Sequence, residues 1–215
     1  MLFDESGLID ELLLALVGIH GDTFVDPDDA RAPTERDDDQ WQLPGPGSCS
    51  VYLSADLTWV SQPDREVLSE LLRLGFHFKC LSVFVEWEVA PWATEEWTSR
   101  TRPPSIYRRA LASGLTEVLD DYRVAVLELQ AELRAAEVPA LPTILHRMWE
   151  YTEVLPALHA LAAIHDKRGP SFSSADLINS LASQSRSCGS PSLGHCLTRL
   201  LWHCNQVMLQ QLAAW

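Results

Sequence analysis

The sequence predicts an all-α protein, built as elongated helical bundles of long antiparallel helices. Three observations predict it. Residues 104–135 carry one apolar stripe of Leu111, Leu115, Val118, Tyr122, Val126, Leu129 and Leu133, spaced 4, 3, 4, 4, 3 and 4, a rhythm that keeps a single helix face in register. Two later stretches keep a helical rhythm as well: 142–166, with Leu145, Met148, Trp149, Leu155, Leu158, Leu161 and Ile164, and 191 to the end, with Leu193, Leu197, Leu200, Leu201, Cys204, Val207, Met208 and Leu212. Between these stretches the chain is punctuated by Pro, Gly and Ser, which end helices.

Each element has its own local reason. Residues 7–18, "GLIDELLLALVG", place Leu8, Leu12, Ala15, Leu16 and Ile19 at helical spacing, with Asp10 and Glu11 at the positive end of the helix dipole. Gly18 and Gly21 then break the helix. Residues 26–50 are rich in Asp, Pro and Gly and poor in apolar side chains. Such a stretch buries too little surface to offset its ordering entropy, so it is expected to be a disordered acidic insertion. Residues 51–60, "VYLSADLTWV", alternate in part and are read as extended, a small strand or hairpin arm.

Pro63, Asp64 and Glu66 make a helix start. Val67, Leu68, Leu71, Leu72 and Leu74 follow as an apolar face; the continuation through Phe84 reads as helix, with strand left open by its β-branched and aromatic content. Residues 91–105 read as a loop. Pro103 and Pro104 precede the long central helix and Pro139 follows it. A helix of that length is roughly 45 Å long and needs neighbours of similar length. Pro156 removes a backbone donor from the 142–166 helix and is expected to kink or interrupt it. After the loop "KRGPSFSS" a short helix is expected over 174–184, then "SRSCGSP" breaks the chain again before the last helix. That helix reaches Trp215 with no Gly, Asn or basic residue after its last turn, and the expectation is of a helix cut inside a larger protein.

Composition narrows the function. The 215 residues suffice for one sizeable core or two small ones. The net charge of −14, from 30 acidic and 16 basic residues, repels phosphate backbones and argues against nucleic-acid binding. A basic or neutral protein surface is the better electrostatic partner. The longest apolar run near the start, Leu12 to Ile19, is far short of the roughly 20 residues of a membrane span, so no membrane contact is expected. Five cysteines, odd in number and irregularly spaced, read as reduced thiols.

Chemistry-bearing groups are sparse. Cys188, His195, Cys196, His203 and Cys204 form the densest Cys/His cluster. A zinc site there fails on geometry, because Cys196 and His203 are seven residues apart, roughly 10 Å along a helix, and ligands lie about 2.0–2.3 Å from zinc. "GIHGD" at 18–22 sets His20 near Asp22, but no nucleophile elbow or phosphate loop accompanies it. No catalytic residue, cofactor or metal is assigned, and no enzymatic activity is expected. The tryptophans of "EWEVAPWATEEW" (86–97) read first as aromatics folded back on the core and second as a docking segment. Gly114, mid-helix, costs about 1 kcal/mol against Ala, which points to another helix crossing closely there.

Several stretches, taken in order, resemble the gamma-tubulin complex component family, above all the N-terminal region of its fourth component. "DELLLALVGIHGDTF" carries Leu12, Leu16, Gly18, Gly21 and Phe24; "IYRRALASGLTEVLDDYRVAVLEL" carries Tyr107, Gly114, Tyr122 and Arg123; "EVLPALHA" carries Leu155 and Pro156; "VMLQQLAAW" ends in Trp215. The first two sets, with Trp215, are taken as structural or interface positions. The 26–50 stretch departs from the pattern as an insertion, and 86–97 has no clear counterpart. The resemblance implies that residues 1–25 and 51–215 form an N-terminal helical-bundle region. It implies a structural subunit of the gamma-tubulin ring complex supporting microtubule nucleation at microtubule-organising centres and spindle poles, in the cytoplasm and cytoskeleton. Its implied partners are other components, met laterally, and gamma-tubulin, held through a C-terminal region outside this chain. Two readings from the residues alone stand beside it: an unrelated all-α cytosolic adaptor, and a small metal-dependent enzyme using the Cys/His cluster.

Overall fold

The computed structural model describes residues 5–26, 43–54, 59–89, 105–135, 139–167 and 174–215. Six helices occupy most of them: α1 (Glu5–Leu16), α2 (Gln62–Val89), α3 (Ile106–Ala135), α4 (Ala140–Lys167), α5 (Ser174–Ser187) and α6 (Pro191–Ala213). Two two-residue strands, β1 (Phe24–Val25) and β2 (Tyr52–Leu53), pair antiparallel, Phe24 opposite Leu53. The all-α expectation holds; of the extended arm expected at 51–60, Tyr52 and Leu53 form half of that clip, and residues 55–58 lie outside the described residues.

Helix ends follow local chemistry. Ser61 caps α2: its hydroxyl accepts the Asp64 amide at 3.4 Å and donates to the Asp64 carboxylate at 2.6 Å, which holds the hydroxyl at the helix start. At the C-terminus of α1, Gly18 adopts φ +79°. The amides of Gly18 and Ile19 donate back to the carbonyls of Ala15 and Leu14 at 3.0 Å each, the Schellman arrangement that a left-handed residue permits.

The register of contacts fixes helix directions. Arg108 meets Glu88 and Tyr122 stacks on Phe78, so α3 runs antiparallel to α2. Arg147 meets Glu132, so α4 turns back on α3. Tyr107 meets Gln211, Glu117 meets His203 and Asp121 meets Arg199, so α6 lies antiparallel along the N-terminal half of α3. The long helix predicted over 104–135 is therefore the central strut, and six of its seven stripe residues are buried, Leu133 half-buried.

Helix α2 is apolar nearly all round where it is most enclosed: Leu74, Gly75, Phe76, His77 and Phe78 are buried in succession. A helix with such a girdle sits inside the bundle, here between α1, α3 and α4. That settles the helix-or-strand ambiguity of this stretch.

Several expectations are corrected or limited. Pro156 does not interrupt α4, which runs on for 28 residues; the ring lies beside a cavity of about 470 Å³ shared with Thr152, where it has room. Trp149 and Ile164 are exposed, because the buried face of α4 runs through Ile144, Met148, Leu155, Leu158 and His165. Ile19 lies beyond the end of α1 and is exposed too. Of the stretch 26–50, residues 27–42 lie outside the described residues, but its flanks belong to the core: Asp26 and Leu43 are buried. The expected loop at 91–105 and most of the tryptophan-rich stretch fall outside the described residues.

Candidate functional site

The residues singled out in the sequence gather at two helix crossings. At the first, α1 ends against α2 and α3. Leu12, Leu16 and Phe24 are fully buried. The Tyr122 hydroxyl donates to the Leu16 carbonyl at 3.0 Å, supplying a partner to one of the acceptors a helix end leaves open. The Tyr122 ring stacks on Phe78 at 5.2 Å and meets Tyr151 edge-on at 4.9 Å, and its burial pushes the phenol far above its ordinary range. Arg123 pairs with Asp120 at 2.7 Å and lies over the Phe78 ring at 5.0 Å. Gly18 rests on Lys79, whose Cβ is 3.0 Å from where a Gly18 side chain would begin. Gly21 is exposed, with the Glu11 carboxylate nearby.

Gly114 lies at the second crossing. A methyl group there would meet Leu200 at 2.8 Å and His203 at 3.0 Å, so α6 does pass closely over it. Tyr107 lies toward the end of the same seam, its hydroxyl donating to Gln211 at 2.8 Å. Trp215 is fully exposed and stands apart from both crossings, beyond Leu209 and Leu212, which are also exposed.

The Cys/His cluster does not converge. Cys204 is buried against the Tyr107 carbonyl, and desolvation raises its thiol to about 12; Cys196 is raised by burial as well, so both stay protonated and poor nucleophiles at neutral pH. Among the described residues no three His, Cys, Asp or Glu side chains are placed to hold a metal ion. Nor is any described helix long and apolar enough to cross a membrane.

The described residues pack as a helical body, and comparison with known proteins gives it a family. The model of the gamma tubulin complex component N-terminal region matches residues 9–215. The chain belongs to the gamma-tubulin complex component family. It is 32% identical to the gamma-tubulin complex component 4 homolog of Medicago truncatula over 97% of this chain and 27% of the relative. It is 32% identical to gamma-tubulin complex component 4 of Arabidopsis thaliana over 97% of this chain and 29% of the relative, and 23% identical to that of Homo sapiens over 97% and 28%. The chain thus spans under a third of the length of these relatives.

Within this gamma-tubulin complex component chain, sequence reasoning missed three core features. A methyl group on Gly75 would run into the carbonyl oxygen of Ala15, so α1 touches α2 backbone to side-chain-free backbone. The buried Asp26 carboxylate accepts from Lys79 at 2.8 Å and from Ser50 at 3.1 Å, tying the β1 end to α2 and to the segment before β2. His77 and His159, both buried, share a hydrogen bond between their Nδ1 atoms at 2.8 Å, and His159 Nε2 lies 2.9 Å from the Pro44 carbonyl. A carbonyl only accepts, so His159 carries its proton on Nε2 and His77 donates from Nδ1. Both rings are neutral in that arrangement, and burial first, then His159 and Arg73, lowers His77 to about 4. Asp26 lies in the stretch expected to be a disordered insertion; the available signal was on the α2 side, where the run "LGFHFK" at 74–79 sets His77 and Lys79 in an apolar girdle.

Proposed function

We propose that this chain is the N-terminal helical-bundle region of a structural subunit of the gamma-tubulin ring complex, which supports microtubule nucleation and performs no catalysis. The observation that carries the reading is the family match across residues 9–215. Its mechanism is geometric. Three helices of 28–30 residues, α2, α3 and α4, pack side by side. Buried ties cross between them, so the body transmits position without bending much. Such a body, placed laterally against sister components, fixes the spacing at which attached gamma-tubulins are presented. Gamma-tubulin itself is held by a region outside these 215 residues. The protein works in the cytoplasm and cytoskeleton, at microtubule-organising centres and spindle poles, without nucleic acid or membrane contact.

Co-purification tests this. The full-length gene product brings down gamma-tubulin and sister components, while the 215-residue chain brings down sister components and binds gamma-tubulin weakly or not at all. A full-length product that recovers neither under gentle lysis overturns the reading. Tight binding of gamma-tubulin by the short chain relocates the grip to this region.

A further inference from the structure

We propose that the groove between α3, α4 and the first turns of α6 docks a basic segment of another protein, one Arg or Lys entering with its aliphatic stem on Tyr151 and its charge between Asp121 and Glu150. The groove encloses about 400 Å³, more than one such side chain occupies and within the range of sites that hold a ligand. Val118 and Val154, both buried, form its apolar floor. The Tyr151 ring is held edge-on against Tyr122, so it offers a firm surface for methylene groups.

The rim is acidic. Asp121 and Glu150 both line the groove. Their negative field reaches the interior: after burial, each helps to push up the Tyr151 phenol, and at the Cys196 thiol both act upward against the opposing charge of Arg199. Arg199 occupies one oxygen of Asp121 at 2.6 Å, and a carboxylate accepts several further bonds. The net charge of −14 adds long-range attraction for a cationic partner. Trp202, seven residues beyond His195, lies on the same side of α6 and is 56% exposed, a further apolar contact for the partner's next residues. The inference does not depend on the gamma-tubulin reading.

Fluorine NMR on the 215-residue chain tests it, with 3-fluorotyrosine at its four tyrosines and the Tyr151 signal assigned by Tyr151→Phe. The probes are a capped Leu-Arg-Leu peptide and a capped Leu-Glu-Leu peptide. The arginine peptide shifts the Tyr151 signal saturably at millimolar concentration, the glutamate peptide does not, and Glu150→Lys, whose thermal melt matches the parent, weakens the arginine peptide about tenfold, the size of one lost charge contact. An equal response to both peptides, no saturable shift with either, or unchanged binding by Glu150→Lys overturns the proposal. Sedimentation covers the other occupant: a dimer abolished by Glu150→Lys assigns the groove to a second copy and overturns it as well.

Discussion

The two helix crossings each depend on a glycine, yet the glycines face different obstacles. Gly75 faces the Ala15 carbonyl of α1; Gly114 faces the ends of Leu200 and His203 on α6. A backbone carbonyl cannot step aside without moving its helix, whereas a leucine methyl or an imidazole edge can rotate away. The same residue type therefore marks a rigid seam in one region and an adjustable one in the other.

Alanine and larger side chains at the two positions break or sharpen that contrast. Gly75→Ala forces α1 off α2 and costs roughly 3–5 kcal/mol in urea unfolding, despite alanine's better helix propensity. Gly114→Ala changes stability by less than about 1 kcal/mol, since the flexible ends yield. Gly114→Leu exceeds that tolerance and costs about 1–3 kcal/mol; a variant as stable as the parent would mean that α6 does not press on α3. Equal losses for the two alanine variants would erase the distinction altogether.

Two residues on from Gly75, where α2 meets α4 instead of α1, lies an acid-sensitive contact. His77 has a folded value near 4 against 6.5 unfolded. Between those values the unfolded chain binds more protons, so stability rises with pH across the window. Its contribution is complete above about pH 6.5 and falls by about 2 kcal/mol by pH 5. Urea midpoints at the two pH values check this, and His77→Gln flattens the dependence. Next in size, Tyr122→Phe strands the Leu16 carbonyl and costs about 1–2 kcal/mol. At the far end of α6, Trp215→Ser alters the melt by less than about 0.5 kcal/mol, because the ring touches little.

What was legible in the sequence follows the same division. The α3 stripe was readable because one face is buried and the other exposed, and Gly114 stood out as an anomaly inside that regular pattern. Gly75 did not, because α2 is enclosed on nearly all sides there and an all-apolar stretch has no period for a glycine to interrupt. Asp26 was hidden by composition: an acidic residue among other acidic residues reads as loop, and only the fold brings Lys79 and Ser50 to it. Trp149 was misplaced by α4, whose apolar residues outnumber its buried positions. The groove beside His195 and Cys196 is made by three elements and has no local signature.

The Tyr122–Leu16 bond joins residues 106 apart and the Tyr107–Gln211 bond joins residues 104 apart. Both outer helices are thus fastened to the strut by closing loops of about a hundred residues, while α2 and α3 meet each other in chain order. Late closure follows for α1 and α6 during folding, and early release during fluctuation: their amides exchange with deuterium before those of α2 and α3 do.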